Sequence, residues 1–161
     1  MPPAERAGRG AEHDGRAPDA VVAASIAATA RAGGPQPYEW ALLRVVPRVE
    51  RGEYVNVGVV VYARRVGFLR ARVTSDLGRA LALDPGLDVD GVARHLQAVA
   101  ALCDGTDSAG PLGAHDPGER FRWLVAPRST VVQTSPVHTG LAVDPAAELD
   151  ALYARLVRPP V

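Results

Sequence analysis

The chain has 161 residues, with eighteen acidic and eighteen basic side chains and a formal net charge of zero. All eighteen basic residues are Arg, and the balance holds within the parts: four Arg against four acids over residues 1–37, fourteen against fourteen over residues 38–161. No portion is a basic footprint, which argues against a general nucleic-acid binder that works by neutralising phosphates. Cys103 is the single cysteine, so an intrachain disulfide is excluded and a reducing compartment fits.

Residues 1–37 are rich in Ala, Gly, Pro, Arg and Asp, lack aromatics and contain almost no large aliphatic side chain. Such a segment cannot bury enough apolar surface to offset its ordering entropy, so a disordered leader is expected. Residues 20–32 (AVVAASIAATARA) resemble a signal sequence in their small apolar composition. They lack Leu and Phe, however, and the nineteen residues before them hold four acids beside three Arg. A secretory signal needs a positive start and a strongly apolar centre, so a cytoplasmic protein is expected. No run reaches the length of a membrane span.

A single α+β domain is expected over residues 38–161. Residues 40–46 (WALLRVV) are apolar on both faces, as in an interior strand, and Pro47 ends it because proline cannot donate to a ladder. After a turn at Gly52, Val55, Val57, Val59 and Val61 alternate with Tyr54, Asn56, Gly58, Val60 and Tyr62. That is a strand with period two, whose valine stripe is expected to face the helices. A turn near Gly67 leads to a third strand over 68–73, completing an antiparallel meander.

Helices are expected over 76–83, capped by Ser75, and from Asp88 or Asp90 to about Cys103, ended by Gly105. Residues 105–118 read as a loop. Alternation of Phe121, Trp123 and Val125 predicts a fourth strand over 121–126, and 130–134 a fifth. Asp144-Pro145 is an N-cap followed by proline at the first helical position, starting a last helix that carries Leu149, Leu152, Tyr153, Leu156 and Val157. The expectation is an antiparallel sheet of about five strands, beginning with a meander, with about three helices packed on it.

A few polar residues stand out of place. Arg44 interrupts an apolar strand, on the face of Trp40, Leu42 and Val46, and a buried guanidinium must be paired. It is either structural, bracketed by a carboxylate such as Glu39, Glu50 or Glu53 or lying at a strand end near water, or a receiver of an external anion, with Asn56 on the next strand near it. Residues 126–130 gather Arg128, Ser129 and Thr130, groups suited to a phosphate or carboxylate, although Ser and Thr also bond locally in turns. His138 follows Ser135 in a polar segment, so a hydrolase or nuclease using His138 with Ser135, Arg44 and Arg128 is one alternative. Arg64, Arg65, Arg70 and Arg72 are candidates for a nucleic-acid patch or a solvated face, and the last two can guard a strand edge. One Cys and scattered His offer no ligand pair at zinc spacing, and neither metal nor cofactor is expected. Arg44, Asn56, Arg128, Ser129, Thr130 and His138 are expected to be anion- or partner-binding, with Arg44, Arg128 and His138 converging on one side of the sheet.

The segments Arg44-Val-Val-Pro-Arg-Val-Glu50, Glu53-Tyr-Val-Asn-Val-Gly-Val59, Arg120-Phe-Arg-Trp-Leu-Val-Ala-Pro-Arg-Ser-Thr130 and Ser135-Pro-Val-His-Thr-Gly140 resemble a bacterial family, domain of unknown function 3037. The resemblance covers residues 38–157 and implies a small intracellular bacterial protein without supplying an activity. It also implies a protein partner, a HipA-like kinase, through genes of family members that neighbour such kinases. The expected function is a non-catalytic accessory or regulatory module that binds a partner protein through an anion-accepting face. A chain starting at Gln36 is expected to keep the melting temperature of the full chain, and a loss of several degrees by calorimetry would show that the leader packs on the domain.

Overall fold

The computed structural model describes residues 33–160. The expectation of a disordered leader falls mainly on residues 1–32, outside that range. Strand β1 (Gln36–Val45) pairs antiparallel with β2 (Val55–Ala63), and β2 with β3 (Phe68–Val73). The meander is therefore present, and it begins two residues before the compositional break, with Gln36 opposite Ala142 and Pro37 opposite Leu141. On its other side β1 pairs with two short strands in turn, β4 (Val132–Thr134) near its end and β5 (His138–Ala142) near its start. Ser135 joins them: its N–H donates to Leu42 O (2.9 Å), and its buried hydroxyl accepts from Leu42 N–H (2.9 Å). The hydroxyl thus stands in for a ladder carbonyl where Pro136 takes the chain out of the sheet.

Among the described residues, four α-helices cover both faces of this sheet. On the first face lie α1 (Gly78–Leu83), α2 (Val89–Asp104) and α3 (Pro117–Val125), packed on Ala41, Leu43, Val45, Val60 and Tyr62. On the second, α4 (Pro145–Leu156) packs on Leu42, Val59, Val61 and Ala63 through Leu149 and Leu152. Val59, Val60 and Val61 are all fully buried, because both faces of β2 are covered.

The valine stripe does not share one face. Leu43 pairs with Gly58 and Arg44 with Asn56, leaving Val57 as an extra residue in β2. This bulge turns Val57 and Gly58 to the same side and reverses the phase of the strand. Val55 and Val57 pack toward α2, whereas Val59 and Val61 face α4. Gly58 has to be glycine there, since a Cβ would stand 2.8 Å from Arg72 O and 3.0 Å from a Leu43 methyl.

The expected strand over 121–126 is helix α3. Asp116 accepts the Glu119 N–H (3.0 Å) and Pro117 occupies the first turn, the device that also starts α4 at Asp144-Pro145. Arg120, Phe121 and Leu124 are buried at helical spacing, while Trp123, expected to share the face of Phe121, is 46% exposed. Short alternation and a helical stripe coincide over so few residues, and the cap decides between them. Three further differences are local. Strand β5 lies in a segment with no clear alternation. The stretch after α2 holds a 3₁₀ segment, Asp107–Ala114, and α1 begins after Leu77 without the Ser75 cap.

One side chain closes the first face. Arg120, 8% exposed, donates from Nη1 to Leu102 O (2.7 Å) and Cys103 O (2.9 Å), two carbonyls of the last turn of α2, the first of which also accepts the Gly105 N–H (3.3 Å). Gly105 turns beneath it at φ +65°, where a Cβ would stand 2.6 Å from that nitrogen. Cys103, fully buried beside it, has its thiol pushed up to about 12 by burial. Val57 is 1% exposed in this core, so Val57→Asp would bury a carboxylate with no partner. The expected outcome is an unfolded chain by circular dichroism, since a penalty of several kcal/mol meets a total stability of roughly 5–15 kcal/mol.

Candidate functional site

Arg44 leaves β1 on the second face, beyond the part that α4 covers, and is half-buried. Its guanidinium carbon lies 4.2 Å from the centre of the Tyr54 ring, and its Nε is buried with no hydrogen-bond partner. Among the described residues it enters no ion pair. The acids expected to bracket a structural Arg44 are engaged elsewhere or remote: Glu39 pairs with Arg122, Glu53 with Arg51, and Glu50 is exposed in the turn.

Asn56 sits opposite Arg44 on β2 and Gln133 opposite it on β4. Asn56 Nδ2 donates to Leu156 O (3.1 Å), which ties the sheet to the end of α4 and leaves Oδ1 buried without a partner. Arg79 adds a second tie, donating from Nη2 to Val157 O (2.6 Å) and Asn56 O (3.2 Å). His138 pairs with Trp40 across β5 and β1, and their rings stack at 4.4 Å. Trp40, Arg44 and His138 therefore lie on one face, with Tyr54 and Asn56 beside the guanidinium.

Arg128 does not join them. It stacks over Trp123 of α3 (3.8 Å) and donates to the Trp123 carbonyl (2.8 Å), beside His95, Val99 and Leu124 on the first face. The expected convergence of Arg44, Arg128 and His138 thus fails for Arg128, because the connection from α3 to β4 keeps it on the helix side. Ser129 is exposed, and Thr130 donates its hydroxyl to Val132 O (2.7 Å), the local turn bond open to such residues. The pairing of Ser135 with His138 is not assembled either. Ser135 donates its proton to Pro136 O (2.8 Å) and accepts from Leu42 N–H, while His138 is stacked on Trp40.

The arginine patch is half engaged. Arg70 lies 3.3 Å from Asp104, and Arg72 pairs with Asp150 and sits over Tyr153, while Arg64 and Arg65 are exposed in the turn after β2. Among the described residues no group of three or more His, Cys, Asp or Glu is placed to hold a metal ion, and no helix is long and apolar enough to cross a membrane. A second polar region escaped the sequence reading: a cleft of about 630 Å³ bordered by Glu39, Tyr62, Arg64 and the start of α3. Its residues come from three separated segments, and the signal that would have indicated it is the Asp116-Pro117 cap.

Partial burial, and then the Arg128 guanidinium, hold the His95 imidazole below its ordinary 6.5. The folded chain is therefore harder to protonate at His95 than the unfolded chain. The stability this supplies is complete above 6.5 and is lost as pH falls from there through the folded value. Arg128→Gln is expected to move the His95 midpoint upward in an NMR titration, and an unmoved midpoint would mean that the two groups do not interact.

The profile of the family described as "Protein of unknown function (DUF3037)" matches residues 40–157. No curated protein and no solved structure matches the chain. The match takes in all the strands and helices described above except the first four residues of β1, and the chain belongs to the DUF3037 family.

Proposed function

We propose that this protein is a non-catalytic accessory module of the bacterial cytoplasm, which binds a partner protein by receiving a carboxylate or phosphate of that partner at Arg44. The observation that carries the reading is the unpaired guanidinium: half-buried, resting on Tyr54, its Nε without a hydrogen bond. A guanidinium with no carboxylate partner leaves its charge uncompensated, and an incoming anion would supply that partner. An anion bound end-on would meet the two terminal nitrogens together, the fork geometry that makes Arg–carboxylate and Arg–phosphate pairs specific. The Trp40–His138 stack alongside supplies an aromatic surface of the kind enriched at interfaces. Support for a HipA-like kinase as that partner comes from the family resemblance alone.

Arg44→Leu separates this role from a structural one. It removes the unsatisfied donor along with the Tyr54 contact, so stability is expected to change by no more than about 1 kcal/mol. Binding to the HipA-like kinase of the same genome, measured by calorimetry with purified proteins, is expected to weaken at least about tenfold. A large loss of melting temperature would make Arg44 structural, and unchanged binding would remove it from the interface.

A further inference from the structure

The cleft on the first face has chemistry unlike that of Arg44. Glu39 and Tyr62, opposite each other on β1 and β2, border it on the sheet side, and the first turns of α3 border it on the other. Its volume of about 630 Å³ is that of a small-molecule site. Several of its polar side chains are bonded to one another. Arg122 donates to both Glu39 oxygens (2.9 and 2.7 Å), and His115 Nδ1 lies 3.0 Å from a Glu119 oxygen.

Two charges of opposite sign remain. Arg64 is exposed and enters no ion pair among the described residues. Asp116 enters none either; it accepts the Glu119 N–H, and that bond holds its carboxyl below the usual range, so it is ionised at neutral pH. They come from different elements, the turn after β2 and the cap of α3, and both line the cleft. The Tyr62 ring is fixed by stacking on Phe121 (5.2 Å), and its hydroxyl approaches so near Gly118 that a Cβ there would stand 2.8 Å away. Trp123 and Leu112 supply apolar wall.

We propose that this cleft binds a free α-amino acid with an apolar side chain. Arg64 receives the carboxylate, Asp116 the ammonium, and Trp123 with Leu112 the side chain. A lone anion would set its charge against Asp116 and Glu119, and a lone cation would set its own against Arg64. A zwitterion leaves neither uncompensated. Because both charged groups are near solvent, each contributes modestly, and millimolar to micromolar affinity is expected. The site lies on the face opposite Arg44, so it stands or falls independently of the partner interface.

The test titrates the full chain with L-leucine, L-phenylalanine and L-tryptophan, followed by amide chemical shifts and calorimetry. Phenethylamine and 3-phenylpropionate, each retaining one of the two charges, serve as comparison ligands. At least one amino acid is expected to saturate and to move the amides of Arg64 and of residues 116–123. Both single-charge compounds should bind at least about tenfold more weakly. Arg64→Gln and Asp116→Asn should each weaken binding by about tenfold, and Asn keeps the helix cap, so an unchanged melting temperature confirms that both variants fold. Absence of saturation by all three amino acids overturns the proposal. So does equal binding of a single-charge compound, or undiminished binding by both variants.

Discussion

Strand β1 has to satisfy hydrogen bonds along both of its edges, and the rest of the molecule is arranged around that requirement. One edge is met by β2 over almost its whole length, the other by two short strands that reach it from different stretches of chain. The gap between them falls at Leu42, where Ser135 supplies an N–H and a hydroxyl in place of a continuous strand. A buried backbone amide left open there would carry a full desolvation cost, so this serine holds the sheet together. The same bond, with one to Pro136 O, holds the Ser135 hydroxyl in the sheet.

The bulge at Val57 has wider consequences than its one extra residue. By reversing the phase of β2, it lets a valine-rich strand feed two separate cores, one under α2 and α3 and the other under α4. It lies where Arg44 meets Asn56, so the irregular stretch of ladder and the unpaired guanidinium adjoin. Bulges commonly re-aim a side chain beside a functional site, and here the re-aimed region leaves Arg44 without a carboxylate. Asn56 and Arg79 then anchor the end of α4 to the same corner, which fixes how much of β1 that helix covers.

The two faces consequently differ in what they can recognise. The second presents an unmatched cation on an aromatic support next to a stacked Trp–His pair, suited to an acidic group brought by a larger surface. The first presents a cleft, suited to something small, in which Arg64 and Asp116, of opposite sign, enter no salt bridge among the described residues. The remaining arginines of the sheet edge serve the fold. Arg70 donates to Leu69 O and lies by Asp104, and Arg72 is drawn onto α4, so the outer edge of β3 is guarded against pairing with another chain.

The sequence by itself determined the α+β class, the meander, the ends of α2 and the start of α4. Each of these rests on a local signal: alternation over several residues, Asp88 or Asp90 as the N-cap (the structure uses Asp88) with Gly105 as the stop, and Asp144 before Pro145. It also marked Arg44 as out of place, since a charge inside an apolar strand is visible without coordinates. Residues 121–126 satisfy a strand pattern and a helix pattern together; the local Asp116-Pro117 cap favours the helix, and the burial of Arg120 at the end of α2 secures it. Tertiary structure alone decided the rest. The face of Arg128 depends on where α3 ends and β4 begins, and the phase of the valine stripe on a bulge set by the partner strand. The cleft joins residues from three separated segments. Local periodicity carries no information on which distant segments meet, because that choice is made by packing both faces of one sheet together.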